Sequence, residues 1–350
     1  MRLNRPPAGA AATIAAAAIA AVFALNLSCA QAQDAKEVNV YTTREPALFT
    51  PIAQAFTAKT GVKVNTVFVK DGLGERVASE GAGSPADLLI TVDIGALIDL
   101  VDRGVTQPLA SKAVETAVPA NLRAADGAWS ALSLRARLVW AAKSLNLTDI
   151  AYENLADPKW KGKICTRAGQ HPYNTALLAA LIAHDGADRA QAWAVGVKAN
   201  LARKPGGGDR DVARDILGGL CDIGVGNSYY VGLMRSGKGG PEQKKWGDGV
   251  NVVLARFAAG GVHVNASGVV LAKHAPHAAQ ARQLVEFLVS PEGQKIYAEQ
   301  NFEYPVRPDA GISPVIAALG TLKPDTIPLA DIARYRKTAS QIFDKVGFDQ

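Results

Sequence analysis

The chain has 350 residues, 48% of them hydrophobic and 20% charged, with 38 Lys and Arg against 32 Asp and Glu for a formal net charge of +6. The basic residues are dispersed, with no run longer than Lys244-Lys245, and no aromatic residues are interleaved with them, which excludes the usual surface of a nucleic-acid-binding protein. The composition is that of a globular protein, and the length exceeds what one compact core holds, so two lobes are expected.

Residues 1–32 predict a signal peptide that is removed on export. Two arginines near the start precede an alanine-rich apolar run over residues 10–27, and Ala30-Gln-Ala32 fits the small-x-small cleavage rule. We therefore expect an exported, periplasmic chain. Two alternatives stay open, namely a membrane anchor, for which the apolar run is marginal in length, and a lipoprotein signal at Cys29.

After this segment the chain contains two cysteines, Cys165 and Cys221. Because an exported chain reaches an oxidising compartment, a disulfide between them is expected. In the chain-entropy model, closing the loop between residues 165 and 221 would stabilise the fold by about 4 kcal/mol. Two separate buried thiols are the alternative, and a cysteine metal site is not favoured because neither cysteine has a partner at ligand spacing.

Strands and helices alternate along the first third of the chain. Hydrophobic periodicity predicts strands over residues 37–41, 62–69 and 86–92, and helices over residues 48–59, 74–80 and 94–103. Gly61 follows the first helix, where a C-terminal cap belongs. The third strand is a near-continuous apolar run, which is typical of a buried parallel strand. This order predicts an α/β lobe.

The rest of the chain predicts a second lobe inserted into the first. Strands are expected over residues 131–143, 221–225 and 262–271, and helices over residues 174–184, 187–199, 211–220, 278–289, 291–300 and 329–344. The inserted lobe would cover residues 138–262, and the first lobe residues 33–137 and 263–350, with the last helix packed on the first lobe. A ligand would bind in the cleft between them.

Tyr229 and Tyr230 stand side by side directly after Asn227-Ser228, which are residue types that begin helices. Adjacent side chains that open a helix can approach one point, whereas neighbours within a strand face opposite sides. A phenolate is a hard oxygen donor that suits ferric iron, and the positive end of the helix dipole would favour it. Ordinary packing is the alternative, and the five histidines show no ligand spacing and are expected at the surface.

Five stretches of the chain resemble the ferric-iron-binding periplasmic proteins of iron ABC importers. They are residues 40–44, 84–93, 152–163, 226–230 and 301–306, of which the double tyrosine in 226–230 is the most specific. The resemblance implies an α/β, two-lobed periplasmic-binding-protein fold of type II, with the lobes joined by a two-strand hinge.

The resemblance also implies a set of site residues. Tyr173, Tyr229 and Tyr230 match the iron-binding tyrosines of a three-tyrosine subgroup, and Cys165 and Cys221 match its disulfide. Arg44 matches a residue that balances charge or partners a bound anion. Arg135 and Arg137 match an Arg-x-Arg strand and are further candidates for that role, with a hinge or surface position as the alternative. Glu45 and Pro46 stand where the family commonly has His and Tyr, so Glu45 is a candidate oxygen ligand from the first lobe.

The function implied is capture of Fe³⁺ as cargo, with an assisting anion such as carbonate, and its delivery by a monomer to an inner-membrane ABC permease and its ATPase. No chemistry on the ligand is implied. The main alternative is a receptor of the same fold for a small organic or oxyanion solute. An enzyme is not expected, because no His-Glu-x-x-His, Gly-x-Ser-x-Gly or P-loop motif is present.

Overall fold

The computed structural model describes residues 36–350, and the structural statements below concern those residues. The predicted signal peptide, its cleavage site and the Cys29 alternative lie outside the described residues. From residue 36 onward, no helix combines the length and the apolar character that crossing a bilayer requires.

The strands of the described chain form one sheet in the order β2-β1-β3-β9-β5-β7-β6, with β10 and β8 also paired to β5 and β4 paired to β9. The strands are β1 Glu37–Thr42, β2 Lys63–Phe68, β3 Leu88–Thr91, β4 Thr106–Gln107, β5 Ser130–Ala142, β6 Ile164–Cys165, β7 Ile223–Asn227, β8 Val250–Val253, β9 Val264–Ala272 and β10 Tyr304–Pro305.

The α-helices pack around this sheet and between its ends. They are α1 Pro46–Thr60, α2 Leu73–Glu80, α3 Ile94–Asp102, α4 Lys112–Ala117, α5 Pro172–Asp185, α6 Ala187–Ala199, α7 Asp209–Leu217, α8 Ser228–Arg235, α9 Pro241–Gly249, α10 Ala278–Leu288, α11 Pro291–Asn301, α12 Pro314–Ala317, α13 Leu329–Ala333 and α14 Arg336–Lys345.

The first α/β unit forms as its pattern predicts. Strand β1 pairs in parallel with β2 and β3, and every residue of β3 is buried. Gly61 ends α1 with φ +72° and donates its N–H to the carbonyl of Thr57, a conformation that glycine adopts at little cost.

Strand β5 crosses between the two halves of the sheet. Its first part, from Ser130 to Ala136, pairs with β9, and its second part, from Arg137 onward, pairs with β7 and β8. Side chains alternate along a strand, so Arg135 and Arg137 fall on one face at the point where the pairing changes. This crossing strand corresponds to one strand of the predicted hinge.

The C-terminal segment differs from its prediction. Residues 329–344 form two helices, α13 and α14, and α14 packs on α5 and α6, which belong to the segment predicted as the second lobe. Gly169 permits this contact, because a Cβ there would lie 2.8 Å from the ring of Phe348 and 3.0 Å from that of Phe343. The expectation that this segment packs on the first lobe holds for α13, which contacts α3 as well as α5, and for Arg336, which pairs with Asp93. It does not hold for the contacts of α14 with α5 and α6, and the lobe limits stay a prediction.

Candidate metal centre

A cleft of about 360 Å³ opens between the N-terminal end of α8 and the loop that follows β1. Its lining combines tyrosines, arginines and acidic side chains: Thr43, Arg44, Glu45, Ala47, Leu48, Val92, Arg135, Tyr173, Arg210, Tyr229, Tyr230, Leu233, Gln300, Asn301, Phe302 and Glu303. Most of the site residues predicted from the sequence therefore lie together here, and Arg137 lies beneath the cleft wall, fully buried.

Tyr229 and Tyr230 occupy the first turn of α8, with Asn227 at the helix N-cap, as the sequence predicts. The two rings lie 4.1 Å apart between centroids, at an interplanar angle of 35°. The hydroxyl of Ser228 accepts a hydrogen bond of 3.2 Å from the N–H of Ala136 and ties the helix start to β5. The turn after a buried strand thus presents both phenols to the cleft.

Tyr173 reaches the same point from the first turn of α5. His171 caps that helix, and its Nδ1 accepts the N–H of Tyr173 at 3.2 Å. Burial and the charge of Arg167 lower the pKa of His171 to about 4, so the ring stays neutral and can accept at neutral pH. The Tyr173 and Tyr229 hydroxyl oxygens are 3.2 Å apart, although the residues are 56 positions apart in the chain.

The phenols of α8 are protonated at neutral pH in the metal-free protein. Burial raises the pKa of Tyr229 well above 10, with the neighbouring Tyr173 and Tyr230 adding to the effect against Arg135. Burial, Tyr173 and Asp209 also raise the pKa of Tyr230. Phenols so close together do not readily ionise without a cation between them.

Three guanidinium groups surround the ring of Tyr173. Their central carbons lie 5.8 Å, 5.9 Å and 5.0 Å from its centroid for Arg135, Arg137 and Arg167. Arg137 bonds Asp209 at 2.6 Å. Three positive charges therefore lie beside this phenol, two of which, those of Arg137 and Arg167, are paired with the carboxylate of Asp209.

Arg44 has a partner that the sequence analysis did not identify. Its two terminal nitrogens donate to the two carboxylate oxygens of Glu303 at 3.0 Å each, and one of them also donates to Ser267. Burial opposes ionisation of Glu303, but the charges of Arg44 and Arg135 outweigh it and hold the pKa of the carboxyl below its usual range. A buried, bidentate ion pair thus forms the wall opposite the tyrosines.

Two further charged groups line the cleft. Glu45 is exposed at its edge, directly after Arg44. Arg210, which the sequence analysis missed, lies with its guanidinium 5.6 Å from the ring centroid of Tyr230 and donates to Gln243 at 3.1 Å.

In the described residues, no three His, Cys, Asp or Glu side chains are arranged to hold a metal ion.

Cys165 and Cys221 form the predicted disulfide, with their α-carbons 5.8 Å apart. Both are buried. Each precedes a tyrosine-bearing helix, since Cys165 ends β6 before α5 and Cys221 lies just before β7. The bridge therefore ties together the two chain segments that supply the phenols.

The expectation that all histidines lie at the surface is wrong for His263, which is 3% exposed. Its backbone N–H donates to the hydroxyl of Tyr152 at 3.2 Å, and its backbone carbonyl accepts the backbone N–H of Arg137. The residue is buried because it lies directly before β9, where the crossing strands meet. Its spacing in the sequence carries no signal of that position.

Comparison with known proteins gives matches over nearly the whole described chain. A family model for bacterial extracellular solute-binding proteins matches residues 83–319. "Iron uptake protein A1" of Synechocystis is 37% identical over 333 residues, which are 92% of each chain. Among solved structures, the "Bordetella ferric binding protein" is 60% identical with a TM-score of 0.85 and covers 90% of this chain and 100% of that one.

A further solved structure is that of the Trichodesmium protein IdiA (FutA) in complex with iron and citrate ligands. It is 38% identical, with a TM-score of 0.83 and coverage of 89% of this chain and 99% of that one. These structural neighbours have the two-lobed type II fold, so the predicted fold class is confirmed. The matched proteins are binding and uptake proteins, and the chain is not an enzyme.

Proposed function

Because the chain belongs to the bacterial extracellular solute-binding protein family, whose members work with ABC transporters, we propose that it captures ferric iron in the periplasm. The loaded protein, a monomer, would deliver the ion to an inner-membrane permease driven by an ATPase. Three phenols from two helices line one cleft, with the Tyr173 and Tyr229 hydroxyls 3.2 Å apart and the Tyr229 and Tyr230 rings 4.1 Å apart between centroids; this arrangement carries the proposal.

The ligands proposed are Tyr173, Tyr229 and Tyr230. A ferric ion would displace the phenol protons, as metals do when their ligands must be deprotonated. Three phenolates then carry a charge of −3, which matches the trivalent ion. Ferric iron is favoured over softer metals because all three donors are hard oxygen atoms.

An assisting anion such as carbonate is part of the proposal, because the cleft keeps positive charge once the iron and the phenolates cancel. Arg44 is neutralised by Glu303, but Arg210 has only a neutral amide partner. Arg135 also lines the cleft, and the carboxylate of Glu303, 4.0 Å from it, is already paired with Arg44. These donors suit a small oxyanion bound beside the metal.

The test is a titration of ferric citrate into the purified mature protein. The wild type is expected to develop a visible iron–phenolate charge-transfer band, and Tyr229→Phe a much weaker one. Tyr41→Phe is the matched control, because its phenol bonds Glu80 outside the cleft and its loss should leave the band unchanged.

The alternative function, a receptor of the same fold for a small organic or oxyanion solute, gives the opposite result. In that case ferric citrate produces no visible band with the wild type, and the tyrosines line an aromatic pocket. A band of equal strength in the wild type and Tyr229→Phe would also contradict the proposed ligand set.

A further inference from the structure

Asp209 is a buried carboxylate that lies behind the tyrosines without bonding any of them. It is the first residue of α7 and is 1% exposed. It accepts hydrogen bonds from Arg137 at 2.6 Å, from Arg167 at 3.3 Å and from the backbone N–H of Asn227 at 2.9 Å. A buried carboxylate in such surroundings is stable only with several charge-assisted partners.

Each of these contacts leads to a segment that carries a tyrosine. Asn227 is the N-cap of the helix that begins with Ser228 and continues with Tyr229 and Tyr230. Arg137 also donates to the side-chain oxygen of Asn227 at 3.1 Å.

The same guanidinium reaches the other tyrosine-bearing segment. Arg137 donates at 2.7 Å to the side-chain oxygen of Asn174, the residue that follows Tyr173. Arg167, the second cation on Asp209, lies 5.0 Å from the ring centroid of Tyr173. The two arginines and the carboxylate thus form one continuous polar strap beneath the three phenols.

Resting on the proposed function, we propose that Asp209 is a positioning residue of the iron site. It acts through Arg137, Arg167 and Asn227 to hold Tyr173 at the spacing from Tyr229 and Tyr230 that one ferric ion requires. Partners one shell beyond the ligands orient them, and their loss costs about 10- to 100-fold in metal affinity.

The test compares Asp209→Asn with Asp215→Asn. Asp215 is a matched control, because it is a second buried acid on the same helix, 8% exposed. Like Asp209, it bonds two guanidiniums, those of Arg203 at 2.7 Å and Arg214 at 2.9 Å. Neither guanidinium lines the tyrosine cleft.

The probe is ferric citrate, and the readouts are the position of the visible band, the iron affinity in competition with free citrate, and the thermal unfolding midpoint. We expect Asp209→Asn to weaken iron binding by at least about tenfold and to shift the band, because the phenolate geometry changes. We expect Asp215→Asn to lower the unfolding midpoint while leaving affinity within about threefold of wild type and the band in place.

If Asp209→Asn does not fold, Arg137→Lys replaces it. A lysine keeps the charge but lacks the fork that bonds Asp209 and Asn174 together, so the same loss of affinity and shift of the band are expected.

A wild-type band with equal effects of the Asp209 and Asp215 variants on affinity and spectrum overturns the positioning role and leaves the proposed function standing. Absence of a band in the wild type overturns both.

Discussion

The wall of the cleft that carries Tyr173, Tyr229 and Tyr230 differs from the wall that carries Arg44 and Glu303 in how its polar groups are satisfied. On the tyrosine wall, the phenols of Tyr229 and Tyr230 are neutral, cations lie beside the ring of Tyr173, and the Tyr173 and Tyr229 hydroxyls bond each other. On the opposite wall, the buried charges of Arg44 and Glu303 already pair with each other inside the protein.

This difference assigns different tasks to the two walls. Groups that are protonated and weakly partnered can exchange protons for a metal, and their binding energy remains available for the ligand. The charges of a buried ion pair with two parallel hydrogen bonds are already satisfied within the protein, and the pair shapes the cleft. Affinity should therefore depend on the tyrosine wall, and stability on the arginine wall.

The largest effect is expected from breaking the ion pair. Glu303→Gln would leave the guanidinium of Arg44 buried without an anion, and losing one partner of such a pair costs about 3–5 kcal/mol. Denaturant unfolding of the metal-free protein measures this loss. The visible band of the iron-loaded variant should keep its position, because the phenols are untouched.

Glu292→Gln provides the control for that experiment. Glu292 pairs with Lys59 at the surface, with both side chains about half exposed, and exposed pairs contribute less than about 1 kcal/mol. Equal destabilisation by the two variants, or a shifted band in Glu303→Gln, would contradict the division between the walls.

The next largest effect is expected from the tyrosine wall, in iron affinity and not in stability. Tyr173→Phe removes one anionic ligand and should weaken ferric binding by about 100-fold, equivalent to about 2.7 kcal/mol. The unfolding free energy should change by no more than about 1 kcal/mol, because the phenol is partly exposed and, within residues 36–350, its one side-chain bond is to the Tyr229 hydroxyl. Tyr335→Phe, at an exposed phenol, should change neither quantity, and an unchanged affinity in Tyr173→Phe would remove it from the ligand set.

On the tyrosine wall, the pair Tyr229 and Tyr230 could be predicted from the sequence for a local reason, whereas Tyr173 was a candidate only through the family resemblance. Asn227-Ser228 begin a helix, and a helix start fixes the direction of Tyr229 and Tyr230 within one turn. Alternating and apolar runs gave β1, β3 and β5 in the same way. Such features depend on neighbours in the chain, which a sequence displays directly.

The arginine wall and the polar strap could not be predicted in this way. Glu303 meets Arg44 across 259 positions and Asp209 meets Arg137 across 72, and nothing in the local pattern distinguishes these acids from surface ones. The packing of α14 on α5 and α6 could not be predicted for the same reason, since it depends on the close approach of Phe343 and Phe348 to the distant Gly169. Long-range pairings of charge therefore need the structure.

A third expected effect concerns His263, the buried histidine that lies where the strands crossing between the two halves of the sheet meet. Burial lowers the pKa of His263 to about 3, with Arg137 and His184 adding to the effect against Asp93. The unfolded chain, with a pKa near 6.5, takes up a proton that the folded protein excludes. The contribution of His263 to the free energy of unfolding is therefore complete above pH 6.5. It is lost progressively as the pH falls toward 3, and the loss is about 2 kcal/mol at pH 5.

His263→Gln should remove this part of the acid sensitivity. Unfolding free energies measured at pH 7 and pH 5 should differ by about 2 kcal/mol less in the variant than in the wild type. His274→Gln, at an exposed histidine, serves as the control and should keep the wild-type difference. The same acid dependence in both variants would show that His263 is not the group responsible.

The smallest effect is expected at Glu45, the one candidate ligand that the arginine wall offers beside its ion pair. Its side chain is exposed at the edge of the cleft, so holding it on a metal costs conformational entropy. Glu45→Gln should therefore weaken ferric binding by less than about tenfold, or about 1.4 kcal/mol, in the same citrate competition. A loss as large as that of Tyr173→Phe would make Glu45 a full ligand, and the metal would then bridge the two walls instead of resting on one.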